Sequence, residues 1–277
     1  MEKWREYYTD DTIKKVQRVE LELLIEFIRI CDVLGLEYVI YGGTLLGAIK
    51  YRGFIPWDDD VDVALPRKSY NKFIKLANKV TNKDFFVQSP YNCANSPYPY
   101  TKFRKRGTRF VEYHNRNLKI EDGVYIDVYP IDRIPDNEKL RRKQYKKVQK
   151  WINIYVCRQS RLYDKKENSL WGKAKNVMRF FECKIPKVFP QKYCINKIDY
   201  YMTMYNNCET KRYAALNSPN YENIYVRLYP LKKGLFEGNV VYLPGGYKNH
   251  LHRRYGDYNV LPKEEDRYGH IPYILEC

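Results

Sequence analysis

The chain has 277 residues, 44% of them hydrophobic and 30% charged, which suits a packed core in one large domain or two small ones and excludes bulk disorder. Lys and Arg number 50 against 33 Asp and Glu, and the net charge of +17 points to an anionic partner: nucleic acid, a phosphorylated substrate or a membrane surface. No apolar run approaches the ~20 residues of a membrane span. The opening residues have no apolar stretch of the secretory kind, so a cytoplasmic protein is expected. Seven cysteines, odd in number and without a Cys-x-x-Cys pair, match neither a disulfide framework nor a zinc site; they read as thiols in a reducing compartment.

The first predicted element is a helix. Ile13, Val16, Val19, Leu23, Leu24, Phe27, Ile28 and Cys31 recur at three- and four-residue steps. Thr9, Asp10 or Asp11 caps it, and Gly35 stops it. Leu36 to Tyr41 reads as a short buried strand, broken by Gly42-Gly43, with one or two helical turns from Thr44 to Lys50. Asp60 to Leu65 alternates as a strand. Pro66 ends it, and Arg67 to Lys79 is a second amphipathic helix. Strands are expected at Phe85 to Val87, Tyr100 to Arg104, Thr108 to Val111 and Gly123 to Val128.

The composition changes at Lys139. Residues 139–192 hold 17 Lys and Arg against 3 Asp and Glu. One helical stripe runs through Leu140, Val148, Trp151, Ile152, Tyr155 and Val156, and another through Leu170, Trp171, Ala174, Val177, Met178 and Phe181. A third helix is expected from Gln191 to Asn207. Beyond Tyr213, a strand from Val240 to Leu243 and a helix from Tyr247 to Tyr255 are expected. The order of elements implies an α/β or α+β domain with a mixed sheet.

The chemistry concentrates in Asp58, Asp59, Asp60 and Asp62. Carboxylates packed this closely repel one another unless a cation sits among them. Residues two apart on a strand share a face, so Asp60 and Asp62 aim side by side, an arrangement suited to one or two Mg²⁺ ions. Asp58 joins them if the strand starts early. The plain alternative is a solvated acidic loop. The preceding Gly42-Gly43-Thr44 shifts the balance, because glycines opening a helix let backbone N–H groups approach a phosphate. A phosphate cradle followed by paired carboxylates is a phosphoryl or nucleotidyl transfer constellation. Asp127, alone within Tyr125-Ile126-Asp127-Val128-Tyr129, supplies a third carboxylate and is a possible proton acceptor for an attacking hydroxyl.

These blocks resemble the LicD family. The resemblance rests on Gly42 to Ile49, on Gly53-Phe54-Ile55-Pro56-Trp57-Asp58-Asp59-Asp60-Val61-Asp62-Val63, on Tyr125 to Asp132, and on Tyr255-Gly256-Asp257-Tyr258 with Leu261-Pro262. It implies an α+β fold with a nucleotidyltransferase-like mixed sheet flanked by helices. Residues 1–135 would be the catalytic core, 136–210 a basic helical region and 211–277 a C-terminal segment completing the domain. It implies phosphocholine transfer from CDP-choline, or phosphoethanolamine transfer from CDP-ethanolamine, to a glycan or lipid-linked glycan, with release of CMP. It also implies Mg²⁺ or Mn²⁺ on Asp60, Asp62 and Asp127, Asp58 as a further acidic active-site residue, and Gly43 with Thr44 at the nucleotide phosphates.

Two sets of cations are placed to clamp a diphosphate: Lys102, Arg104 and Arg106 on one strand, and Lys50, Arg52 and Arg67 nearer the glycine turn. A solvated strand face explains the first set equally well. Trp57 is the aromatic residue expected to meet a quaternary ammonium. The basic stretch 139–192 suits an anionic membrane surface at the inner face. Nucleic acid ranks below it, since no helix-turn-helix, RRM or zinc-finger signature is present. His114, His250, His252 and His270 form no ligand pattern. The rival readings are a nucleotidyltransferase that leaves a nucleotide on its product, and a non-enzymatic basic binding protein.

Overall fold

The computed structural model describes residues 9–159, 188–217, 225–264, 267, 269–270 and 272–277. The helical stripe expected from Leu170 to Phe181, and Cys183, lie outside the described residues. The six cysteines that are described are all free thiols.

Helix α1 (Asp10–Leu34) starts where Thr9 Oγ1 accepts the Thr12 N–H at 3.3 Å and stops at Gly35, whose φ of +59° lets its N–H turn back to the Asp32 carbonyl. Its apolar stripe is buried as expected except for Ile28, which is half-buried, and Ile30 joins it. The next strand is shorter than its apolar run: only β1 (Val39–Ile40) finds ladder partners, because β2 (Asp62–Pro66) begins at Asp62 rather than Asp60. Helix α2 (Gly42–Lys50) lies between them.

Helix α3 (Arg67–Val80) follows β2 and packs on it. Then come β3 (Phe85–Gln88), β4 (Thr101–Lys105), β5 (Arg109–Glu112) and β6 (Tyr125–Ile134). The main sheet has the order β1-β2-β6-β4-β3. Strand β6 is parallel to β2 and antiparallel to β4, so the sheet is mixed and the fold is α+β. Helices α1 and α3 cover one face, over a core that includes Leu23, Phe27, Phe73 and Phe103. Strand β6 runs past its expected end at Val128, through Pro130. The parallel register sets Pro130 opposite Leu65, and the ladder then resumes against β7 (Arg212–Ala214).

Helices α4 (Glu138–Gln159) and α5 (Gln191–Thr203) pack together around Val148, Ile152, Tyr155, Ile195 and Ile198, with Ile134 of β6 at the base. Strand β8 (Tyr225–Val226) pairs with β7, and β9 (Lys232–Phe236) and β10 (Asn239–Leu243) form a hairpin. Helix α6 (Tyr247–Tyr255) has the expected bounds. Strand β11 (Pro272–Glu276) returns to pair with β5, and this return carries residues 269–270 across the loop before β2.

Candidate active site

The site forms where α2 begins beside β2. Gly42 opens α2 at a φ of +56°, a conformation that favours glycine. A Cβ on Gly42 would lie 2.0 Å from Asp62 Oδ2, and one on Gly43 would lie 2.6 Å from Asp58 Oδ2 and 3.9 Å from Asp60 Oδ1. All three carboxylates therefore lean on the opening turn of α2. The N–H groups of that turn have no intrahelical partner and carry the positive end of the helix dipole. Thr44 is buried, and its hydroxyl accepts the Asp62 N–H at 2.8 Å; it holds the start of β2 against α2. Gln17 of α1 secures the loop by donating to the carbonyls of Asp58 (2.9 Å) and Ile55 (3.3 Å).

Asp60 precedes β2, so the pleat alternation expected to align it with Asp62 does not apply. The two come together through the curvature of the 58–61 loop around Gly43. Burial raises the pKa values of Asp58, Asp60 and Asp62 above the usual carboxylate range. Neighbouring carboxylates push the same way: Asp60, Asp59 and Asp62 on Asp58, and Asp60 and Asp127 on Asp62.

The parallel register of β2 and β6 puts Asp127 directly beside Asp62. Its oxygens are engaged: Oδ1 accepts from Lys102 Nζ at 2.8 Å and Oδ2 from the Tyr129 hydroxyl at 2.9 Å. Lys102 is itself buried, with the Tyr125 ring 3.2 Å and the Tyr98 ring 4.2 Å from Nζ. Burial lowers its pKa, and Asp127 opposes that effect. As folded, Asp127 is thus half of a buried ion pair rather than the open third ligand expected of it.

The clamp residues divide differently from expectation. Arg104 is 1% exposed and turned inward, donating to Gln88 Oε1 (2.9 Å) and the Gly123 carbonyl (2.6 Å). Arg106 is exposed and pairs with Glu121. Arg67 points to Asp132 and Asp199 and ties the main sheet to α5. Arg52 is exposed, with its carbonyl bound by the Glu237 N–H at 2.8 Å. Lys50 Nζ donates to the carbonyls of Tyr258 and Asn259, each at 3.0 Å. Of these six cations, Lys50 alone lies on the wall that Trp57 and the loop after α6 build beside the carboxylates.

Three further residues complete the site, and the sequence assigns none of them a role in it. Asp59 is buried; its two oxygens accept the His270 N–H at 2.8 and 3.0 Å. His270 Nδ1 lies 3.3 Å from Asp59 and 3.9 Å from Asp60, and the hydrogen bond to Asp59 pushes its pKa up to about 10. A Cβ on Gly269 would strike Asp59 Oδ1 at 2.2 Å. Glu20 of α1 is buried, with Oε2 unpartnered; burial first, then Asp59, Asp60 and Asp58, raise its pKa well above normal. Glu20 was findable in the sequence as a charge one step from Val16, Val19, Leu23 and Leu24 on the buried stripe. Asp59 and His270 are 211 positions apart and give no local signal.

A divalent cation suits this donor set by type, since carboxylate oxygens are hard ligands and four acids here repel one another. Among the described residues no three His, Cys, Asp or Glu side chains are already drawn together at metal-ligating spacing. Asp58, Asp60 and Asp62 are the candidates; Asp127 joins only if Lys102 lets go.

Comparison with known proteins gives a consistent answer. Residues 35–152, which span α2, β2 and β6, match the family model described as LicD/FKTN/FKRP, nucleotidyltransferase domain. The chain is 28% identical over 264 residues to the lipopolysaccharide cholinephosphotransferase LicD of Haemophilus influenzae, covering 94% of this chain and 96% of that protein. It is 30% identical over 111 residues to an uncharacterized protein of Rickettsia typhi, covering 40% of this chain and 33% of that one. Residues 35–152 thus carry a LicD-type domain match, and the chain is similar along nearly its whole length to one LicD protein.

Proposed function

We propose that the protein is a cholinephosphotransferase that moves phosphocholine from CDP-choline to a sugar hydroxyl of a cell-surface glycan and releases CMP. The observation that carries this reading is the crowding of Asp58, Asp60 and Asp62 around the Gly42-Gly43 start of α2, in a chain aligned end to end with a lipopolysaccharide cholinephosphotransferase. The N–H groups at the start of α2 receive the donor's phosphate oxygens. Asp60 and Asp62 would hold Mg²⁺ or Mn²⁺, which when bound would supply charge neutralisation to the diphosphate and the carboxylates. The glycan oxygen attacks the phosphorus that bears choline. The bond from that phosphorus to the bridging oxygen breaks, and CMP leaves with the electron pair. Asp58, whose pKa burial and its acidic neighbours raise well above the ordinary carboxylate range, stands beside Gly43 as the candidate to take the hydroxyl proton.

A lipid-linked acceptor places the reaction at a membrane surface. Lys139, Arg142, Lys143, Lys146, Lys147 and Lys150 line one groove along α4, a face suited to anionic lipid. Among the described residues no helix is long and apolar enough to cross a membrane. A nucleotidyltransferase reading draws on the family description and is separated by its product, which keeps the nucleotide.

The test is CMP release from CDP-choline with Mg²⁺ and a lipid-linked glycan extract. Release that requires the extract is expected. Silence with both CDP-choline and CDP-ethanolamine, or a nucleotide retained on the acceptor, would reject this reading.

A further inference from the structure

The block Tyr255-Gly256-Asp257-Tyr258 with Leu261-Pro262 has no part in the phosphate chemistry above. The structure folds it against the tip of α2. Gly256, at a φ of +67°, turns the chain out of α6, and Lys50 pins the next loop through the carbonyls of Tyr258 and Asn259. Between that loop and α2 lies a cavity of about 410 Å³, a size typical of small-molecule sites, which run from about 300 to 1,000 Å³. Tyr51, Trp57, Tyr255, Tyr258, Asp257 and Lys50 give it its chemistry. The Tyr51 and Trp57 rings meet edge to face, 6.4 Å apart at 78°, and form two perpendicular walls.

We propose that this cavity is the head-group site, and that it selects a quaternary ammonium over a primary one. The inference rests on the phosphocholine reading and deepens it.

Position comes first. Trp57 is the residue before Asp58. Tyr255, the last residue of α6, lines the same cavity as Trp57. The step from Trp57 to Asp58 is what joins a group bound here to a phosphate held at the carboxylates. Chemistry comes second. Aromatic faces attract a desolvated trimethylammonium, and the Asp257 carboxylate adds opposite charge at the rim. Asp257 Oδ1 accepts from Asn259 N and Nδ2, each at 3.1 Å, which fixes its orientation. Trp57 already carries one cation, the Arg267 guanidinium 5.0 Å from its ring.

Selectivity follows from what the cavity lacks. A primary ammonium needs three acceptors in place of its water. The carbonyls of Tyr258 and Asn259 already accept from Lys50, and Asp257 Oδ1 from Asn259, which reduces the acceptors left for it. A trimethylammonium asks for none.

The experiment compares CDP-choline with CDP-ethanolamine on the full chain, and titrates the chain with tetramethylammonium chloride against ammonium chloride. Wild type should prefer CDP-choline. Trp57→Leu and Tyr258→Leu should each lower that preference about tenfold, through KM rather than kcat, while Trp57→Phe keeps most of it. Asp257→Asn, on an exposed loop where folding is not at stake, should lower it about threefold. Tetramethylammonium should bind saturably to wild type and not to Trp57→Leu, and ammonium should not bind. A preference unchanged in all three loss variants would overturn the proposal. So would an equal loss for both donors, or CMP rather than tetramethylammonium occupying the cavity. If neither donor is turned over but tetramethylammonium binds through Trp57, the phosphocholine reading fails and the cation site stands.

Discussion

Strand β6 carries two buried, cation-paired aspartates toward its two ends, and the clusters they border differ. Asp132 is saturated with partners: Arg67 grips both of its oxygens and Asn206 donates to Oδ1 at 2.7 Å. At the other end, Asp127 shares its strand register with Asp62, and beyond it stand Asp60, Asp58 and Glu20, acids pressed on acids. The Asp132 cluster is built to be stable as it is. The Asp62 cluster is built at a cost in folding free energy, which makes sense where something of opposite charge is to be held.

The contrast breaks first on activity. Asp60→Asn combined with Asp62→Asn should lower CMP release by at least ~10³-fold. In cation-free buffer it should raise the unfolding midpoint, because it removes repulsion. Arg67→Met should do the reverse: a stability loss of about 3–5 kcal/mol in denaturant unfolding, since Asp132 is left buried without its cation, with turnover per folded molecule kept. A destabilised carboxylate variant, or an inactive but stable Arg67 variant, would erase the distinction between the two clusters. Gly43→Ala comes next. Its Cβ would lie 2.6 Å from Asp58 Oδ2, so the carboxylate must shift, and turnover should fall ~10²-fold with little change in melting.

The contrast sharpens on pH. Burial holds the folded pKa values of Asp58, Asp60, Asp62 and Glu20 above the ordinary carboxylate range, and His270 is raised from 6.5 to about 10. These groups bind more protons in the folded protein than in the unfolded chain, so their contribution to stability falls as pH rises above the ordinary carboxylate range, that of His270 between 6.5 and about 10, with buried Lys102 opposing it at the alkaline end. Melting in chelator should show a declining midpoint from pH 5 to pH 8. Added Mg²⁺ should recover most at the alkaline end. The smallest effect belongs to the basic face. Lys143→Gln, Lys146→Gln and Lys150→Gln together should weaken sedimentation with anionic vesicles by several-fold per charge, while turnover of a soluble acceptor persists.

The difference between the two ends of β6 was only partly legible in the sequence. Periodicity located α1, α3 and α6, and the spacing Asp58-Asp60-Asp62 located the acidic centre. Asp127 was visible as a lone acid in an apolar run. Its partner was not: Lys102 alternates with Arg104 along β4 as if on a solvated or phosphate-facing edge, yet both are 1% exposed. Alternation tells which residues share a face and says nothing of what covers that face. Here Tyr98 and Tyr125 cover it, drawn from a tyrosine excess too general to interpret residue by residue. Asp59 and His270 lay beyond reach for another reason. Their contact exists only because β11 pairs with β5, a long-range pairing that no local pattern specifies.

The most direct test of the central claim is a manganese titration of the full chain, read from the EPR signal of free Mn²⁺. The account predicts one or two ions bound per wild-type chain, the same number in Arg67→Met at a temperature where it is folded, and loss of binding in the Asp60→Asn and Asp62→Asn double variant. Wild type that binds no Mn²⁺, or a double variant that binds as wild type does, would contradict it.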